Sequence, residues 1–156
     1  MSAATLKPRL SFLFISTLFL FFSSCRVTLV PPYDADMAGE ISKTAKMVDK
    51  FYITMMEKTK NENNGRTYEK FSDQYIDIEV ELNSLLYKNK VKPLNAHSTR
   101  ICEITLQLWN KYKEEHKTDN ELSDGLIRLN RKYLSDLFYA MQVAEEGKKI
   151  AAAPTN

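Results

Sequence analysis

Phe71-Ser-Asp-Gln-Tyr75-Ile-Asp-Ile78-Glu-Val-Glu-Leu82-Asn-Ser-Leu85 is the stretch that decides the fold. With Tyr68 ahead of it, its apolar residues advance in steps of 3, 4, 3, 4 and 3. A helix repeats every 3.6 residues, so these positions form one continuous seam and the residues between them face elsewhere. Such a heptad-like seam packs against other helices. The spacing predicts a helix over about 66–90.

The same rhythm recurs on both sides. Met37, Ile41, Ala45, Val48, Tyr52 and Met55 mark a helix over about 36–60, ended by the turn signal Asn63-Asn64-Gly65. Pro93 falls in the next connection. Ile101, Ile104, Thr105, Leu108 and Tyr112, with Trp109 on the flank, mark a third helix over about 96–117. Leu122, Leu126, Leu129, Tyr133, Leu137, Ala140, Met141 and Ala144 mark a fourth over about 119–146. Thr118 and Glu121 have capping-box spacing at its start, and Gly147 reads as its stop. No segment shows strand alternation. Four helices with short connections predict an all-α, antiparallel, up-and-down four-helix bundle.

The front of the chain has a different character. Met1 to Arg9 carries Lys7 and Arg9 and no acid; Leu10 to Phe22 is an apolar run of 13 residues. That matches the apolar region of an export signal and is short of the roughly 20 residues a spanning helix needs. Phe22-Ser23-Ser24-Cys25 follows, and it resembles a bacterial lipobox with Phe in place of the usual Leu. The resemblance implies a signal peptide over 1–24 and a lipid-bearing Cys25 at the mature N-terminus. Ordinary signal-peptidase cleavage after Ser24 would place bulky Phe22 where a small residue is wanted. An uncleaved anchor is the third reading. Residues 25–36, with Pro31-Pro32, read as an extended tether, 37–147 as the bundle and 148–156 as a disordered tail.

Charge adds little. Of 22 basic and 20 acidic residues, Lys7 and Arg9 would leave with the signal, so the mature protein of 132 residues is neutral. Neither a nucleic-acid-binding face nor a polybasic membrane patch is present. Cys102 would be the single remaining cysteine, expected as a small buried hydrophobe and unable to form an internal disulfide.

Candidate chemistry is sparse. His97 and Cys102 lie about 140° apart around a helix, too far to share a metal, and no set of three ligands exists. His116 follows Glu114 and Glu115 on what reads as a charged helix end. Glu69, Asp73, Asp77 and Glu81 form an acidic stripe on the second helix, and Lys43, Lys46 and Lys50 a basic one on the first. Both read as solvated faces. There is no nucleophile motif and no phosphate-binding glycine loop. The expectation is no enzyme, no cofactor and no metal. Ile76, Val80 and Tyr87 fall opposite the main seam of the second helix. That helix is either packed on two sides or presents an apolar face as a candidate partner surface.

Three strings carry a further resemblance: Cys25 with its Pro-rich tether and Tyr33-Asp34; Lys46-Met47-Val48-Asp49-Lys50-Phe51-Tyr52; and Tyr68-Glu69-Lys70-Phe71 leading into a Leu-rich helix. Across most of residues 25–147 the chain resembles a widespread set of uncharacterised bacterial helical lipoproteins. The likeness implies an envelope location and a helical fold. Arg26 is not the Asp linked to inner-membrane retention, which points to the outer membrane, facing the periplasm. Function is expected to be non-enzymatic, binding or scaffolding an envelope protein. The alternative is a bundle that holds a small apolar or lipid-like ligand between its Tyr-rich helices.

Overall fold

The computed structural model describes residues 29–59 and 64–152. The expected signal segment 1–24 and the expected lipid-bearing Cys25 lie outside these. The described residues form α1 (Ala35–Lys58), a short 3-10 turn (Tyr68–Phe71), α2 (Ser72–Lys90), α3 (Ala96–Asp119) and α4 (Asp124–Ala152), with no strand among them. α1 and α3 each pack between α2 and α4, closing a ring of four. Neighbours run antiparallel, as bonds at two levels record: Lys43–Glu81 at 2.7 Å with Lys88–Glu40 between α1 and α2, Lys113–Glu79 at 2.6 Å with Lys90–Glu103 at 3.4 Å between α2 and α3, and Arg131–Asp49 at 2.7 Å with Asp34 N–H to Glu145 at 2.8 Å between α4 and α1. The protein is the antiparallel four-helix bundle that the spacing predicts. Such partly exposed pairs contribute at most about 1 kcal/mol each, so packing holds the bundle.

That packing centres on aromatic rings. Phe51 meets Tyr52, Phe71, Tyr75 and Trp109 edge-on, with centroids 4.8–5.8 Å apart. Trp109 is fully buried, and its indole N–H donates to the Tyr75 carbonyl at 3.3 Å. A large ring with its polar atom satisfied is among the strongest apolar contributions a core can hold.

The seams of α1 and α2 fall where the sequence puts them, with Phe71, Tyr75, Ile78, Leu82 and Leu85 all buried. α3 is turned. Its buried line is Cys102, Thr105, Trp109, Tyr112 and His116, while Ile104 is exposed and Ile101 and Leu108 are half-buried. Trp109 is thus the centre of the seam and not its flank. α4 is turned likewise: Ile127, Asn130, Leu134, Phe138, Met141, Glu145 and Lys148 face inward, with Leu122 buried just ahead of the helix, and Leu126, Leu129 and Tyr133 face out.

The connections also differ from expectation. Thr118 stays inside α3, bonding the Glu114 carbonyl, and Asn120 in the left-handed region ends that helix. Ser123 caps α4 instead, its Oγ accepting from the Leu126 N–H. Helix α4 runs through Gly147, so residues 148–152 are helical, not a disordered tail. The glycine is exposed, while Glu145 and Lys148 on either side are buried and held.

Candidate functional site

The end of the bundle where the described chain begins is built from four chain segments. Asp34 caps α1: its Oδ1 accepts from the N–H groups of Asp36 and Met37 at 2.9 and 3.0 Å. Its other oxygen pairs with Lys92 of the α2–α3 turn, and that bond, with the helix N–H groups, holds the carboxyl below its ordinary range. The Asp34 N–H donates to Glu145 Oε1 at 2.8 Å. Glu145 Oε2 takes Lys148 Nζ at 2.5 Å, and both of these side chains are buried. Lys149 sits over the Tyr33 ring, 4.1 Å from its centroid. Pro31 is buried as well. The expected tether of residues 25–36 is therefore packed onto α4 from Pro31 onward.

Behind this segment lies a small polar network. Asn89 Nδ2 bonds the Leu85 carbonyl at 2.8 Å, and Asn95 Nδ2 bonds the Asn89 Oδ1 at 2.7 Å. Cys102 lies beside Asn89, and burial pushes its thiol up to about 11, so it stays protonated and unreactive.

Leu94 occupies the left-handed region, φ 60°, in the turn between α2 and α3, with its side chain exposed. That conformation costs an ordinary L-residue roughly 1–2 kcal/mol, and asparagine bears it better. Leu94→Asn should therefore raise stability by about 0.5–1 kcal/mol in urea unfolding. A drop would mean that the Leu94 side chain supports the fold.

The far end of the bundle holds a second buried polar group. His116 is fully buried, contrary to its reading as part of a charged helix end. Its Nε2 lies 2.8 Å from the Arg66 carbonyl and its Nδ1 3.0 Å from the Tyr75 hydroxyl. A carbonyl can only accept, so Nε2 carries the proton and Nδ1 accepts from Tyr75. Burial holds the imidazole below its ordinary pKa, against the opposing pull of the Arg66 carbonyl. The unfolded chain takes up this proton near pH 6.5 and the folded one only at lower pH. Stability should thus fall on acidification from about pH 7 through 6.5, with a slope of at most about 1.4 kcal/mol per pH unit from this group. His116→Gln should flatten that slope in unfolding curves recorded across the window; an unchanged slope would assign it elsewhere.

The other sequence candidates separate. Ile76, Val80 and Tyr87 line up on the outer side of α2, exposed by 53%, 62% and 70%. No described helix covers them, and Val91 continues the line to the end where Asp34 is packed. The exposed residues of α4 add a second apolar side, across the bundle from the first; two-sided apolar spacing on α4 was the missed signal. Of the acidic stripe, Glu81 pairs with Lys43, and Asp77 borders a surface groove with Lys50 of the basic stripe. His97 is exposed at the start of α3 while Cys102 is buried, so the structure does not bring them together. No three potential ligands converge on a metal position among the described residues. None of the described helices is long and apolar enough to cross a membrane.

Fold and site together define an all-α bundle with a packed N-terminal segment at one end and an exposed apolar stripe along α2. Comparison with protein-family models, with curated proteins and with solved structures returns no match.

Proposed function

We propose that this protein is a lipid-anchored envelope protein, attached through Cys25, that binds or scaffolds another protein by the outer face of α2. The observation that carries the reading is the Ile76–Val80–Tyr87 stripe, apolar and exposed on a helix whose other face is fully used by the core. Aromatic and branched side chains left in solvent at helical spacing are the material of a protein interface. The anchor rests on the lipobox-like Phe22-Ser23-Ser24-Cys25. Arg26 favours the outer membrane, facing the periplasm. We read the protein as non-enzymatic, because its buried histidine and cysteine are both engaged in packing. A ligand held between the Tyr-rich helices finds that space filled by the Phe51, Tyr52, Tyr75 and Trp109 rings.

In-cell crosslinking of a tagged form tests both halves. Ile76→Glu with Val80→Glu should remove the crosslinked partner while shifting stability by no more than about 0.5 kcal/mol, as expected for exposed positions. Retention of the same partner would overturn the α2 surface. Cys25→Ala should abolish incorporation of labelled fatty acid; continued incorporation would place the lipid elsewhere.

A further inference from the structure

We propose that the tethered end of the bundle rests on the lipid surface itself, with Leu29, Val91, Leu94 and Ile150 in contact with the bilayer. The inference rests on acylation of Cys25. Because Pro31 is buried and Asp34 is bonded to Glu145, only residues 25–30 remain to span from the lipid to the packed domain. Fully extended, they reach roughly 20 Å, about half of what a tether ending near residue 36 would allow. This end cannot move far from the membrane.

Its surface suits that position. Leu29, Val91, Leu94 and Ile150 are exposed by 77%, 62%, 60% and 81%. They come from three separate segments: the N-terminal strand of chain, the α2–α3 turn and the last turns of α4. Beside Leu94 lies a gap walled by Val30, Pro31 and Ala151 and by the polar His97, Ser98 and Lys148. The turns at the far end expose the polar Asn64, Asn120 and Ser123, with Leu126 at the start of α4 the exposed apolar residue beside them. Leu94 sharpens the contrast, since the chain keeps an exposed leucine in a backbone conformation that asparagine or glycine holds at less cost. Among the described residues, the lysines and arginines at this end are already paired: Lys88 with Glu40, Lys90 and Arg100 with Glu103, Lys92 with Asp34, Lys148 with Glu145 and Lys149 with Glu146. Attraction to anionic headgroups is therefore weak, and the contact is apolar and insensitive to salt.

The test uses the full chain, purified from membranes and reconstituted into vesicles of phosphatidylethanolamine and phosphatidylglycerol that contain a spin-labelled lipid. Leu94→Cys, Ile150→Cys and Lys117→Cys each carry one environment-sensitive fluorophore; buried Cys102 and acylated Cys25 do not take the label. Quenching at 94 and 150 should be several-fold greater than at 117 and should persist in high salt. The mass of the N-terminal peptide from the same sample reports acylation. Acylated protein with equal or no quenching at the three positions overturns the membrane contact alone and leaves the anchor standing. Quenching lost in high salt overturns its apolar character. Unacylated protein overturns the anchor and this proposal with it.

Discussion

Arg66→Ala should destabilise the protein by about 3–5 kcal/mol. The guanidinium is almost fully buried and ties three segments together. Nε and Nη2 donate to the Thr59 carbonyl at 3.2 and 3.0 Å, and Nε also reaches the Met55 carbonyl at 3.2 Å. These close the C-terminus of α1, whose last carbonyls have no partner within the helix. Nη1 donates to the Leu122 carbonyl at 3.1 Å and to Asp124 at 2.6 Å, fixing the start of α4. The Arg66 backbone carbonyl in turn receives His116 of α3. Truncation would leave the Thr59 and Leu122 carbonyls short of a donor, each costing roughly 1–3 kcal/mol where water cannot reach it, while the Met55 carbonyl keeps the Thr59 hydroxyl at 2.6 Å. Arg66→Lys keeps the charge but not the planar fork, and should recover only part of the loss in urea unfolding. Full recovery with lysine would show that charge alone, through Asp124, accounts for the effect.

Glu145→Ala should cost a similar amount, about 3–5 kcal/mol, because it leaves the Lys148 ammonium buried without its partner. The Asp34 N–H loses its acceptor in the same step, so the segment from Pro31 to Asp34 should loosen from α4. Two measurements check this: denaturant unfolding for stability, and hydrogen exchange at the Asp34 amide, which should accelerate in the variant. Replacing both partners, Glu145→Ala with Lys148→Met, should recover much of the stability, since an apolar pair carries no desolvated charge. It should not restore slow exchange at Asp34. If the double variant is as unstable as the single one, the loss comes from the Asp34 bond and packing and not from the unpaired lysine.

The same two clusters explain where the sequence could be read and where it could not. In α1 the apolar residues form one line, and in α2 the Tyr75–Leu85 seam is longer than the second line of Ile76, Val80 and Tyr87, so the period picks the principal buried face of each but not that the second line of α2 stays exposed. In α3 and α4 two lines compete. On α4 the outward line of Leu126, Leu129 and Tyr133 is uniformly apolar, whereas the inward line includes Asn130, Glu145 and Lys148. Periodicity favours the first, and the structure buries the second. Glu145 and Lys148 can be buried because they neutralise each other and meet a backbone N–H from a segment more than a hundred residues away. In α3, Ile101, Ile104 and Leu108 look like a seam until Trp109 claims the centre, supported by a carbonyl of α2. His116 reads as solvated beside two glutamates, yet its partners are Tyr75 and the Arg66 carbonyl, both distant in sequence.

By itself, then, the sequence determined the all-α class, four helices, their antiparallel order and the principal buried faces of α1 and α2. These depend on local spacing and on short connections, which neighbours in the chain report. Only the tertiary structure decided the rotation of α3 and α4, the clamp at Arg66 and the docking of Pro31 to Asp34 against Glu145. A polar side chain can be buried only where its partners arrive, and here they arrive from other helices.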